Sequence, residues 1–372
     1  MICKVMEMQF CFISPKVLKV KNGQCLKNEE FVLIIMTAAQ CEMLKIYGTD
    51  CICIDGTHGM NNYDFELITL LVVDDIRQGF PCSFLVSNRS DKQVLKIFFH
   101  FVKSRLGTAL CPNVFMLDMA EAFFNAWIEI MSPPKFRLYC SWHVDQAWRK
   151  NLSKINTKEK QAFIYKNLKA VLEERDVTTF NILINKLYTM LLEDPDTMEF
   201  ANYFNKYYMC CVECWAHCHR LGAGLNTNMH LERMHKILKY TYLKGKKVKR
   251  LGKAINAIMR FVRDKCIDRL IVLNKGKLSS KLQIIRSRHK QSLKLREDLV
   301  VECENGWNIA SETTDCKCQL LCNECKTCIH QFCCSCLDSS VKYNMCKHIH
   351  LLIRYIFQCV TDSLEHPQEL GK

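Results

Sequence analysis

The stretch CICIDGTHGMNNYDFELITLLVVDDIRQGFPCSFLVS, residues 51–87, decides the fold. It contains three short apolar runs, CICID, ELITLLVVD and FPCSFLVS. Gly56, Gly59, Asn61 and Asn62 punctuate the first gap, and Gly79 and Pro81 the second. Short apolar runs bounded by turn residues read as a three-stranded antiparallel meander.

Downstream, Leu95, Phe98, Phe99, Val102 and Leu106 recur at helical spacing behind Asp91 and Lys92. The strand NVFMLD follows, then a helix over 120–131, then Pro133 and Pro134, the strand FRLYC and a helix from His143. The order βββαβαβα is that of the ribonuclease H fold, an α/β class. In it a central strand of the meander pairs with the strand after the first helix, and helices cover both faces of the sheet. Only one proline, Pro195, falls between residues 135 and 366, and periodicities such as Leu183, Leu187, Met190 and Leu191 make this half mostly helical. Upstream, 29–47 reads as strand plus helix inside a lead-in of residues 1–48.

At 372 residues and 49% hydrophobic, the chain can bury a substantial core in two or three domains. No run reaches the roughly 18 apolar residues of a membrane span; the longest, 65–73, contains Glu66 and ends at Asp74 and Asp75. Lys4, Glu7 and Pro15 interrupt the N-terminus before a signal-peptide core can form, so the expected setting is intracellular, without a membrane. Reduced thiols are expected there, and 25 cysteines then point to ligation and packing, not to a disulfide framework.

The net charge of +14 is concentrated in one place. Residues 233–296 carry 21 Lys and Arg against two acids, Asp264 and Asp268. A block of this kind suits a polyanion, because neutralising phosphates releases counterions; the plainer alternative is a solvated basic helix face. Its densest part is Lys246, Lys247, Lys249 and Arg250.

Two acids stand where phosphoryl-transfer chemistry needs them. A two-metal site requires about three carboxylates converging on Mg²⁺ or Mn²⁺, hard ions that take oxygen ligands. Asp55 ends CICID and Asp118 ends NVFMLD, so parallel pairing of those strands would bring both side chains to one place. Singly, an Asp ending a strand is ordinarily a turn former or a helix cap; the pair in this fold order outweighs that reading. Glu232 is the candidate third acid, early in a helix capped by 226–228 and directly ahead of the basic block.

DGTHG around Asp55, MLDMAEAFFNAW around Asp118, CSWHVDQAWRKNL and NTNMHLERMHKILK resemble successive blocks of Mutator-like element (MULE) transposases. The resemblance covers roughly residues 30–265. It implies that Asp55, Asp118 and Glu232 match the family's DDE triad, that 150–225 is a helical insertion within a domain of 49–265, and that Cys140 and His143 match its Cys-x-x-His pair. It also implies hydrolysis at transposon ends followed by attack of the freed 3′-hydroxyl on target DNA, by a homo-oligomer in the nucleus. Members usually carry a DNA-binding domain ahead of the catalytic core, and with about 50 residues before Asp55 a truncated N-terminal region is expected.

In the tail, CSCLDSSVKYNMCKHIH sets Cys334-x-Cys336 nine residues before Cys346-x-His348. Two close pairs across a short loop can close on one tetrahedral Zn²⁺. The spacing matches the SWIM pattern, CxCx(n)CxH, and gives a small zinc-binding module over 310–355 behind the basic helical region of 233–298. Cys318, Cys322, Cys325 and Cys328 offer a second zinc set, with Cys322-x-x-Cys325 the most finger-like pair; alternatively they are thiols beside one zinc. Cys210, Cys211, Cys214 and Cys218 read as packing thiols. Two other functions compete with a transposase: a domesticated, non-catalytic DNA-binding regulator, and a SWIM-type protein-interaction adaptor.

Overall fold

A computed structural model describes residues 8–13, 31–275 and 280–293, and within 321–355 residues 321, 322, 324, 325, 327, 328, 332, 334, 336–340 and 344–355. They fall into two compact units, the first built from 1–74, 78–221 and 226–270, the second from 75–77, 222–225 and 271–372.

The first unit is a mixed α/β domain around a seven-stranded sheet. Its strands are β1 (Met8–Ile13), β2 (Val32–Thr37), β3 (Cys51–Thr57), β4 (Glu66–Val73), β5 (Gly79–Ser87), β6 (Val114–Leu117) and β7 (Phe136–Tyr139), in the order β1-β2-β5-β4-β3-β6-β7. The meander β3-β4-β5 is antiparallel, and β6 and β7 add to it in parallel. The strand that pairs with β6 is the first of the meander, β3, and not its middle strand. Being central, β3 is buried from Cys51 to Asp55, which is why its sequence is a continuous apolar run and not an alternating one.

Pro81 sits inside β5, where a missing N–H would break a ladder. The register of β4 against β5 shifts between Leu70 and Leu71 at this point, and Gln40 Nε2 donates to the Pro81 carbonyl at 2.9 Å. Gln40 belongs to α1 (Ala38–Tyr47), which opens with a capping box between Thr37 and Gln40. The strand of the lead-in therefore joins this sheet, with β2 antiparallel to β5, its helix belongs to the same unit, and the expected boundary near residue 48 falls inside that unit.

Asp91 caps α2 (Lys92–Leu106) by accepting from the amides of Gln93 and Val94. Val94, Leu95, Phe98, Phe99 and Val102 are buried, and Leu106 only partly. Trp127 of α3 (Glu121–Ile130) packs on Phe99 and Phe115, joining α2, α3 and β6. Beyond β7 run α4 (Ser141–Asn151), α5 (Lys158–Glu173), α6 (Val177–Glu193), α7 (Met198–Tyr207) and the short α8 (Val212–Trp215). Their core is aromatic: Trp148 meets Phe204, Tyr208 and Trp215. Phe180, Ile184, Leu187 and Leu191 are the buried face of α6, with Leu183 and Met190 at its edge. Then come α9 (Met229–Ile237), a π-helical turn over Leu238–Tyr242, and α10 (Leu251–Lys275).

The second unit contains α11 (Ser280–Ser292), the hairpin β8 (Leu321–Cys322) and β9 (Thr327–Cys328), α12 (Leu337–Ser340) and a helix over 347–355. A small apolar core of Ile285, Met345, Ile349 and Ile353 holds these pieces together around cysteines. No helix among the described residues is long and apolar enough to cross a membrane.

Candidate active site and cysteine–histidine clusters

Asp55 lies near the end of β3, and Asp118 follows β6 directly. The parallel register pairs Cys53 with Met116, and two residues further along each strand come Asp55 and Asp118. Glu232 arrives from the other half of the unit, in the first turn of α9, where the positive end of the helix dipole favours a carboxylate. The atoms of Asp55, Glu232 and His143 lie within 4.8 Å of one another. Asp118 is not in that tight group: its Oδ1 accepts from the Ala120 amide at 2.9 Å, though its charge still acts on Asp55.

Two glycines stand at close approaches around this site. A Cβ on Gly56 would fall 1.9 Å from Glu66 Oε1, so a larger residue there would have to displace the Glu66 side chain. A Cβ on Gly79 would fall 2.6 Å from the Cβ of His230, two residues ahead of Glu232, so Gly79 lets α9 settle against the sheet.

The start of α9 is also held to the start of α4. Ser141 N donates to Asn226 O at 3.1 Å, Ser141 Oγ to Asn226 Oδ1 at 2.6 Å, and Asn228 N to Cys140 Sγ at 3.4 Å. Asn228, at the N-cap position, makes no side-chain cap, so the capping expected of 226–228 gives way to tertiary bonds. Arg220, fully buried, spans this junction: Nη1 donates to Ser141 Oγ and Asn226 Oδ1, both at 2.9 Å, and Nη2 to the carbonyls of Tyr139 (3.1 Å) and Cys214 (2.7 Å). Burial pulls its pKa down to about 10, which leaves it charged at neutral pH among neutral acceptors.

Charge in the site is unevenly matched. Burial first, and then the neighbouring Asp118, push the Asp55 carboxyl up to about 7, with Glu232 adding to the rise and His143 opposing it. Burial works against a charged ring at His143, but its hydrogen bonds to Cys140 and Glu232 outweigh it and take the pKa up to about 10. Its Nε2 is 3.0 Å from Glu232 Oε1, and this bond holds Glu232 below the usual carboxylate range. Lys239, on the π-helical turn, donates to Thr57 Oγ1 at 2.6 Å and is depressed by burial. Nearby, buried His235 sits 3.1 Å from Thr69 Oγ1 and is pushed down to about 4, again by burial, so it is neutral at pH 7.

The basic loop is pinned beside this site. Val248 bridges to Asn61, its N donates to Met60 O at 3.2 Å, and Asn62 N donates to its carbonyl at 3.0 Å. That ties 244–250 to the loop leaving Asp55. Lys246, Lys247, Lys249 and Arg250, with Lys244 and Lys253, line an open groove of about 650 Å³. Lys247 also reaches Asp64 at 3.5 Å.

In the second unit, Cys334, Cys336, Cys346 and His348 bring one ligand atom each within 4.8 Å of the others. A second group comprises His289, Cys322, Cys325 and His350. Of the four cysteines expected there, Cys322 and Cys325 take part and Cys328 does not, although it is buried in the same small core. Cys318 lies outside the described residues, as do Cys316, His330 and 294–320. The cysteines at 210–218 form no such group: Cys214 and Cys218 are buried in the main core, with Cys211 packed against it.

Sequence reasoning did not anticipate Arg220, Lys239 or His289. His350 had a visible signal, since it repeats the x-His spacing of Cys346-x-His348, whereas Arg220 had none.

A mixed sheet thus sets Asp55 near the end of one central strand and Asp118 directly after its parallel neighbour. Residues 51–147 match the family model of the MULE transposase domain. The match takes in Asp55, Asp118, Cys140 and His143 and stops short of Glu232, the basic loop and both cysteine clusters. No curated protein matches the chain.

Proposed function

We propose that the chain is a DNA transposase with a ribonuclease H-like core that cuts and joins DNA at transposon ends using divalent metal, and that its second unit binds zinc through a SWIM module. The observation that carries this reading is the meeting of Asp55 and Glu232, from elements far apart in the chain, with Asp118 directly after the adjoining parallel strand.

The donor set suits Mg²⁺ or Mn²⁺: Asp55 and Glu232 converge as hard oxygen ligands, and Asp118, just after the neighbouring strand, would supply a third. A divalent ion bound there would activate the attacking oxygen and stabilise the leaving one. Asp55, raised to about 7, gives up its proton readily when a cation arrives. The protonated His143 holds Glu232 in place and supplies a positive charge at the edge of the site. Lys246, Lys247, Lys249 and Arg250 would hold the DNA backbone, contacts that position without reading sequence. Acting on chromosomal DNA, the protein would work in the nucleus, as a homo-oligomer when two transposon ends are brought together.

The zinc part rests on Cys334, Cys336, Cys346 and His348. His348 Nδ1 lies 3.8 Å from Cys334 Sγ and 3.7 Å from Cys346 Sγ. A tetrahedral ion with Zn–S of about 2.3 Å and Zn–N of about 2.0 Å sets such atoms about 3.5 Å apart, in keeping with that spacing.

Cleavage of end-labelled terminal-repeat duplex in Mg²⁺ or Mn²⁺ tests the enzyme. The wild type is expected to nick the strand and Asp118→Ala to lose this. Equal cutting by both, or none by either, would overturn the enzyme claim for this chain.

A further inference from the structure

We propose that the second unit holds a second, separate tetrahedral zinc ion on His289, Cys322, Cys325 and His350. These four come from three elements: His289 from α11, Cys322 and Cys325 from the β8–β9 hairpin, and His350 from the helix over 347–355. The hairpin pairs Leu321 with Cys328 and Cys322 with Thr327, so the two-residue spacing folds both thiols to one side of a tight turn. Thr327 Oγ1 closes that turn on the Cys325 carbonyl at 2.8 Å.

All four side chains are buried, with His350 and Cys322 wholly so, and their ligand atoms lie within 4.8 Å of one another. Cys325 Sγ is 3.4 Å from His350 Nδ1, close to the sulfur–nitrogen separation of about 3.5 Å across a tetrahedral zinc ion. The His289 and His350 rings stand at 84° with centroids 5.1 Å apart, as two imidazoles on different corners of one tetrahedron can. A disulfide between Cys322 and Cys325 would leave two buried imidazoles with no shared partner; one ion with two soft and two borderline ligands satisfies the group.

His348 and His350 are two residues apart on one helix and so point about 200° apart around it, since each residue turns the helix by about 100°. One belongs to each cluster, so this single helix joins the two sites. The second site further clips α11, the last described helix of the basic block, to the cysteine-rich hairpin. Packing of Ile285 in the same core as Cys322 and Cys325 supports that role. The ligand set owes nothing to the transposase reading and shares no residue with the SWIM quartet.

Metal content of the purified full chain, measured by plasma mass spectrometry, tests this. The wild type should carry two zinc ions. The pair Cys322→Ser with Cys325→Ser should lower this to one, as should Cys346→Ser with His348→Ala, and all four together should leave none. One zinc in the folded wild type, or two retained after Cys322→Ser with Cys325→Ser, overturns the proposal. Zinc lost from the Cys346/His348 variant alone would leave the SWIM site standing and the second site refuted. Should a variant fail to fold, cobalt titration of the wild type decides: thiolate absorbance should rise through two equivalents, and saturation at one overturns the second site.

Discussion

His143 Nε2 and Glu232 Oε1 lie 3.0 Å apart, joining the helix after the last strand of the sheet to the helix that brings in the third acid. The contact keeps Glu232 ionised and His143 charged, while Asp55 at their side is held close to neutral. Under the proposed function this arrangement would favour a cation. The buried Asp55 carboxylate, once ionised, costs stability.

Asp55→Asn should therefore stabilise the metal-free fold while removing its response to Mg²⁺. A carboxyl raised in the folded state stabilises most below its ordinary value of 3.8 and loses that contribution as pH rises through about 7. At pH 7.5 the variant should gain on the order of 2 kcal/mol, a rise of several degrees in melting temperature. Wild type should gain stability on adding Mg²⁺, more so above pH 7 than below it, and Asp55→Asn should not. Thermal melts with and without Mg²⁺ across pH 6 to 8 measure both.

His235 sets an acid limit on the fold. Its pKa is depressed to about 4 by burial, so neutral His235 contributes stability that is complete above the unfolded value of 6.5. As pH falls from 6.5 to about 4 the unfolded chain takes up a proton that the folded one refuses, at a cost of about 3 kcal/mol. His235→Gln, which can still bond Thr69, should flatten the loss of urea stability between pH 6.5 and 4.5 relative to wild type. Parallel curves would contradict it.

Arg220 is the main tie behind the site. Arg220→Met leaves four acceptors around a buried junction and should cost about 2–4 kcal/mol in chemical denaturation. Because those bonds fix Asn226 and Ser141, any folded variant should also bind Mg²⁺ more weakly, which a purely structural loss elsewhere would not produce.

How much of this is legible in the sequence can be traced residue by residue. The meander is clear because turn residues bracket its runs, and parallel placement of Asp55 and Asp118 follows from strand order. The joining of β2 to the same sheet is not visible, because its partner β5 is distant in sequence and VLIIMT fits any buried strand. Asn226 looks like a helix cap; its side chain instead serves Ser141 and Arg220, a tertiary use that local rules do not register. The second cluster is half legible: Cys322-x-x-Cys325 announces itself, but its histidines come from helices on either side, while neighbouring Cys328 packs in the core.

The groove at 244–253 predicts sequence-independent binding. Replacing Lys246, Lys247, Lys249 and Arg250 together by Ala should weaken duplex DNA binding at low salt and lower the slope of log affinity against log salt by about 1 for each phosphate left without its cation. Fluorescence anisotropy over a salt series reads this; an unchanged slope would remove these residues from the interface.

Glu232 lies beyond the matched MULE segment, so it tests the central claim most sharply. Strand cleavage of terminal-repeat DNA in Mg²⁺ should fall by about 100-fold or more in Glu232→Gln, the range of losing one metal-binding carboxylate, with the fold intact by circular dichroism. A Glu232→Gln chain that cuts as fast as wild type would contradict the three-acid site.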